Sequence, residues 1–207
     1  MKVLMINGSP HPHGTTRRAL DEMTRTLAAS NIDVEVMTVG NKPIRGCIAC
    51  GRCDGRCRAF DDDVNRALEV MEQSDALVIA SPVYFASPNG TLLSFLDRMF
   101  SAGNGSAFEG KPAACVAVAR RAGTSATLDA LLKYPAINAM PIVTSSYCPM
   151  AHGSNAAQAE QDEEGMEVLR NLGQNMAWLL RCIELGKQNG VTFPVPGEPK
   201  HRTDFIR

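Results

Sequence analysis

Strand-length stretches of this chain are apolar with almost no polar alternation: VLMI (residues 3–6), DALVIASPVY (75–84) and AACVAVA (113–119). A strand with one wet face alternates. A strand buried on both faces does not, and such strands belong to parallel sheets covered by helices on either side. DVEVMTV (33–39) and a weaker run, PIVTSSY (141–147), supply two more. Between the runs, apolar residues recur at helical spacing: Leu20, Met23 and Leu27, then Leu92, Phe95, Leu96, Met99 and Phe100, then Leu128, Leu131 and Leu132. Val64, Ala67, Leu68 and Met71 follow an acidic start at Asp61, Asp62 and Asp63, which suits a helix N-terminus. A last helix is expected over about 158–185, with Leu169, Leu172, Met176, Leu180 and Ile183 on one stripe. The alternation predicts an α/β doubly wound fold with five parallel strands in the order 2-1-3-4-5 and helices on both faces.

A chain of 207 residues fits one such domain, expected over 1–190, with a cysteine-rich loop at 45–60. Residues 191–207, with three prolines from Pro194 onward and no periodicity, read as a C-terminal tail, unstructured or packed on a neighbouring subunit. Net charge is −1 with 21% charged residues, so there is no basic field for a nucleic-acid partner. No window of 18 apolar residues predicts a membrane span, and the N-terminal apolar run is too short for a signal peptide. The expected location is the cytoplasm, where a cysteine cluster points to metal or redox chemistry more than to disulfides.

Ligands of open parallel sheets sit at the carboxyl ends of the strands. The loop after the first strand, NGSPHPHGTT (7–16), is neither GxGxxG nor GxxxxGK[ST], and the second strand ends at Val39-Gly40 without an acidic residue for a ribose. It offers the hydroxyls of Ser9, Thr15 and Thr16, backbone amides freed by Gly8 and Gly14, and a helix beginning near Thr15. These features suit a single phosphate monoester, and turn and cap formation would use the same residues. His11 stands where a side chain can fold over a bound phosphate, whereas His13 reads as a solvated loop residue.

After the third strand, SPVYFASPNGTLLSFLDR (81–98) stiffens at Pro82 and carries Val83, Tyr84 and Phe85 at the sheet edge. A planar heteroaromatic ligand can lie against such a segment; packing beneath the next helix is the plainer use of the two aromatics. The loop after the fourth strand, ARRAGTSAT (119–127), brings small residues and Arg120 to the same edge, and Arg121 reads as solvated.

Cys47, Cys50, Cys53 and Cys57 spell CxxCxxCxxxC, four of the seven cysteines within eleven positions. Three thiolates at this pitch can wrap three corners of an iron-sulfur cubane and the fourth can close it. Zinc can use the same ligands, although structural zinc sites usually split them into two separated pairs, and free or reversibly oxidised thiols are a third reading. Cys115 lies in an apolar strand and reads as core.

INGSPHPHGTT resembles the phosphate loop GSPRxxGNT of the NADPH-dependent FMN reductase superfamily. SPVYFASPNGTLLSFLDR resembles that superfamily's flavin-ring loop, PVYxxSxxGxLKxFxDR, and the cysteine loop resembles that of its iron-sulfur flavoprotein branch. The match runs through residues 1–150 in order. The resemblance implies a flavodoxin-like fold binding FMN, with Ser9, His11, Thr15 and Thr16 on the phosphate and Pro82, Val83, Tyr84 and Phe85 along the isoalloxazine. Arg120 would stand beside the ring in the loop that departs most from the family. It further implies a [4Fe-4S] cluster on Cys47, Cys50, Cys53 and Cys57, and assembly as a homodimer or homotetramer.

The leading expectation is an FMN-dependent electron-transfer flavoprotein whose cluster exchanges electrons with the flavin, fed by a small-molecule or ferredoxin-like donor. No acid or base residue is named, because the protein binds, orients and tunes its cofactors. The alternative is a NAD(P)H-dependent reductase of flavin, quinone, nitro or azo compounds without a cluster. A zinc-stabilised binding module without redox activity is a third class.

Overall fold

The apolar runs become the core strands of a parallel sheet in the computed structural model, which describes residues 1–194 together with 201 and 203. Strands β1 (Lys2–Asn7), β2 (Asp33–Thr38), β3 (Ala76–Tyr84), β5 (Ala113–Ala119) and β6 (Met150–His152) lie in the order β2-β1-β3-β5-β6, all parallel. A two-residue strand, β4 (Ser87–Pro88), turns back antiparallel on the end of β3. The order is the expected doubly wound one. Its last strand lies elsewhere than expected: the 141–147 run makes one isolated bridge, Ala113 to Ile142, and the parallel strand forms at Met150–His152. Two prolines flank the earlier run, at 141 and 149, and Pro149 supplies a carbonyl that accepts from Ala117 N at 3.1 Å, so the ladder starts only there.

The helices follow the sequence signals closely. Helix α1 (Thr15–Ala28) and α7 (Glu163–Gln188) cover one face, packing Leu20, Met23, Leu27, Leu169, Leu172 and Met176 against Val3, Met5 and Val78. Helices α2 (Asp63–Glu72), α3 (Gly90–Ala102) and α5 (Thr124–Ile137) cover the other, with Met71, Phe95, Met99 and Leu131 against Leu4, Ile6 and Ile79. A one-turn helix, α4 (Gly105–Phe108), fills the bend after α3. Asp62 caps α2 by accepting from Val64 N, and Asn89 caps α3 by accepting from Leu92 N, as the acidic and Asn-Gly starts imply.

The single last helix expected over 158–185 is two, α6 (Ala156–Glu160) and α7. Asp162 breaks it. One carboxylate oxygen caps α7 by accepting from Gly165 N at 3.0 Å, and the other accepts from His152 N on β6 at 2.6 Å. The expected tail begins with chain that folds back: Val191 N donates to Gly186 O at 2.8 Å, and the Phe193 ring covers Gly110. Residues 195–200, 202 and 204–207 lie outside the described residues. Among the described residues no helix is long and apolar enough to cross a membrane.

Glu22 ties α1 to α7. Its carboxylate accepts from Arg18 Nη1 at 2.8 Å, Arg25 Nη1 at 2.9 Å and Arg170 Nη1 at 2.7 Å while the side chain is 9% exposed. Burial alone would raise its pKa, but the hydrogen bonds from Arg170 and Arg18 outweigh burial and hold it below the usual carboxylate range. A depressed folded-state pKa contributes stability that is present above the unfolded value and lost as pH falls through the folded one. Glu22→Gln is therefore expected to lower stability at neutral pH by about 2 kcal/mol in urea titrations and to flatten the acid limb of the stability profile.

Candidate flavin and cysteine sites

Register places the two ends of the first crossover side by side. Asn7 pairs with Thr38, and Val39 N donates to Asn7 O at 2.9 Å, so Gly40 arrives directly beneath the loop that leaves β1. A Cβ at Gly40 would collide with Gly8 O and Ser9 C, and one at Gly8 would sit 2.6 Å from Leu92 Cδ2 on α3. Close approach of backbone, not turn geometry, requires glycine at position 40, whereas at Gly8 the nearest obstacle is the end of the Leu92 side chain. The loop is then pinned from inside: Ser9 N donates to the buried Asn7 Oδ1 at 3.0 Å, Asn7 Nδ2 donates to Thr38 Oγ1 at 3.2 Å, and His11 N donates to Ser9 Oγ at 3.1 Å. Gly14 caps α1 without a side chain, so no side-chain oxygen satisfies the helix's first-turn N–H groups. Those donors, at the positive end of the helix dipole, suit an anion.

They open into a cleft of about 510 Å³. Its walls come from the ends of four strands: Ser9, His11, Thr15 and Thr16 after β1, Pro82, Val83 and Tyr84 after β3, and Arg120 after β5. The fourth wall, Gly153, Ser154 and Asn155 after β6, went unseen in the sequence. Of the nine residues expected to contact a flavin phosphate, ring or edge, eight line this cleft. His13, read as solvated, lines it as well, and Arg121 does not.

Phe85 is the exception. It is fully exposed, at 105%, and does not line the cleft. Phe85 and Ala86 form the tip of the β3–β4 hairpin with φ of 50° and 57°, the left-handed pair that a two-residue turn demands and that glycine or asparagine usually fills. The turn swings Phe85 off the alternation that places Val83 and Tyr84. Gly123 permits the hairpin to seat: with φ of 94°, a Cβ there would lie 2.6 Å from Ala86 Cα.

The cysteine loop packs along α3, and Cys47, Cys50, Cys53 and Cys57 all line one cavity of about 490 Å³ with Phe60, Arg98 and Ser101. Gly55, at φ of 91°, turns the short gap between Cys53 and Cys57 back, its N–H donating to Ala102 O at 3.0 Å. All seven cysteines are free thiols; Cys57 is buried, while Cys47 and Cys53 are exposed. Among the described residues no three Cys, His, Asp or Glu side chains group tightly enough for one metal ion. Four sulfurs lining one cavity are the donor set of a zinc ion or of an iron-sulfur cubane.

Their electrostatics differ. Burial raises the Cys53 thiol, and the nearby charges of Cys57, Cys50 and Cys47 raise it further. Backbone and side-chain hydrogen bonds from Arg52 lower Cys50. Burial pushes Cys57 up, but hydrogen bonds from Arg98 and from the Phe60 and Ala59 backbone bring it below its ordinary value. Cys115, in β5, is core as expected, its thiol pushed up to about 12 by burial.

Arg98 is the residue that sequence reading missed. It closes the LDR at the end of the flavin-like segment, where a charge on a helix ordinarily faces water, yet it is 2% exposed. Its fork pairs with Asp62, Nη1 to Oδ2 at 2.6 Å and Nη2 to Oδ1 at 3.0 Å, and Nη2 also donates to Cys57 Sγ at 3.2 Å. The Phe60 ring lies under the guanidinium at 4.9 Å, and buried Nε has no acceptor.

The comparisons with known proteins agree with this geometry. A family model described as NADPH-dependent FMN reductase matches residues 1–155. An iron-sulfur flavoprotein of Methanocaldococcus jannaschii is 31% identical over 194 residues, covering 89% of this chain and 100% of that protein. Among solved structures, RosB with a bound 8-demethyl-8-formylriboflavin-5'-phosphate intermediate superposes with a TM-score of 0.72 at 16% identity, over 100% of this chain and 94% of that one. A flavodoxin from the domain Archaea gives 0.59 at 12% identity, over 87% and 99%. These two likenesses concern the fold alone, which is flavodoxin-like.

Proposed function

The chain belongs to the NADPH-dependent FMN reductase family, in its iron-sulfur flavoprotein branch, and from that premise we propose that it is an FMN electron-transfer protein with a [4Fe-4S] cluster on Cys47, Cys50, Cys53 and Cys57. It is a flavin-dependent oxidoreductase; the cluster and the direction of electron flow are the proposal. The observation that carries it is the single cavity shared by the four cysteines, lined by the same helix whose Leu92 backs the loop after β1. FMN when bound exchanges electrons in pairs or singly, and a cluster exchanges them one at a time.

The chain's own work is placement. The uncapped start of α1, with Ser9, Thr15 and Thr16, would hold the phosphate, with His11 beside it. Val83 and Tyr84 would lie along the ring system, and Arg120 would offer positive charge to the same cleft. Helix α3 runs between the two sites: Leu92 lies against the loop after β1 and Arg98 against Cys57, the two residues about 9 Å apart along the axis. The donor is a small reductant or a ferredoxin-like protein, and the working unit is a homodimer or homotetramer.

Anaerobic purification with iron, acid-labile sulfide and flavin determined on one sample tests the reading. Iron and sulfide near zero after reconstitution, with FMN bound and rapidly bleached by NADPH, would return the protein to a simple reductase. Because the cleft's first-turn N–H groups serve the phosphate, riboflavin is expected to bind about tenfold or more weakly than FMN in fluorescence titrations.

A further inference from the structure

Every polar atom of Arg98 but one is engaged. Nη1 and Nη2 hold Asp62, Nη1 reaches Arg45 O at 3.4 Å, and Nη2 reaches Phe60 O at 3.3 Å and Cys57 Sγ at 3.2 Å. Nε alone is buried without a partner, on a side chain that lines the four-cysteine cavity. A buried N–H left unpaired is destabilising, and the fork's other bonds hold it in place. Asp62 is fixed in turn, since it also caps α2, so the guanidinium cannot swing away.

We propose that Arg98 is a positioning residue for the metal centre: through Nη2 it fixes Cys57 Sγ at the wall of the cavity and, as a buried cation beside that sulfur, raises the centre's reduction potential. The inference rests on the cluster reading above. The physical reason is charge balance. One-electron reduction adds one negative charge to the centre and nothing else. A fixed buried cation with N–H···S bonds stabilises the reduced form more than the oxidised one. Lysine keeps the charge but lacks the planar fork, so it cannot hold Asp62 and a sulfur together.

The test compares wild type, Arg98→Lys and Arg98→Gln, each reconstituted anaerobically with iron and sulfide. Metal content is measured first, then the midpoint potential of the centre by EPR-monitored titration, with the FMN potential as an internal reference. Expected are a more negative midpoint in Arg98→Gln, a smaller shift of the same sign in Arg98→Lys, and an unmoved FMN midpoint in both. Wild-type midpoint potential in either variant at wild-type iron content overturns the proposal, as does a flavin midpoint that moves equally with the centre's. Should Arg98→Gln fail to fold, the Arg98→Lys potential decides alone. Wild-type protein that takes up no iron or sulfide would instead sink the cluster reading, a result distinct from both.

Discussion

Gly40→Val is expected to weaken FMN binding by about ten- to a hundredfold, while leaving the cysteine loop able to take up iron. The argument is steric. Gly40 Cα lies so near the phosphate loop that any Cβ enters Gly8 O and Ser9 C, both backbone atoms with no rotamer to yield. The loop would have to move, and it is trapped on its other side by Leu92. Overpacking of this kind costs about 1–3 kcal/mol, and here most of it falls on the anchored conformation of Ser9 and the start of α1. Flavin fluorescence titration measures the loss, and metal content after reconstitution checks that the rest of the chain is intact. FMN affinity within a few-fold of wild type would mean that the phosphate does not use this loop.

Cys57→Ala has the second large effect, and it is the mirror image of the first. Iron and sulfide are expected to fall close to zero, while FMN affinity changes by less than about twofold, because the two cavities share no lining residue. Loss of fold is not the expected cause. Without the sulfur, Arg98 keeps Asp62 and Phe60 O, and the substitution removes one hydrogen bond worth about 1 kcal/mol. Elemental analysis with a thermal melt separates the two explanations. Retention of a full metal complement in Cys57→Ala would remove this residue from the ligand set.

Much of this was legible in the residues. Uniform apolar runs identified the core strands because burial on both faces leaves no room for polar alternation, and Asp62 and Asn89 mark helix starts because capping is local chemistry. Both candidate loops could be read for the same reason: Ser9, Thr15, Thr16 and the four cysteines are close in sequence. What escaped depends on contacts between distant segments or on backbone turns. Strand β6 is three residues long and ends in His152, too short to show a period, so the Gly153–Asn155 wall went with it. Phe85 sits on the strand alternation but is turned out by a left-handed hairpin that its sequence, Phe-Ala, does not advertise. Arg98 looks like any helix-surface arginine until Asp62, thirty-six positions away, draws it inside.

Helix α3 has one more consequence. Leu92, in its first turn, backs the loop after β1, and Arg98, in its second half, stands at the four-cysteine cavity. The two sites have no lining residue in common, so one rod fixes where each stands while each fills on its own. Either guest can therefore arrive first, and a chain that has lost one keeps the other's seat intact.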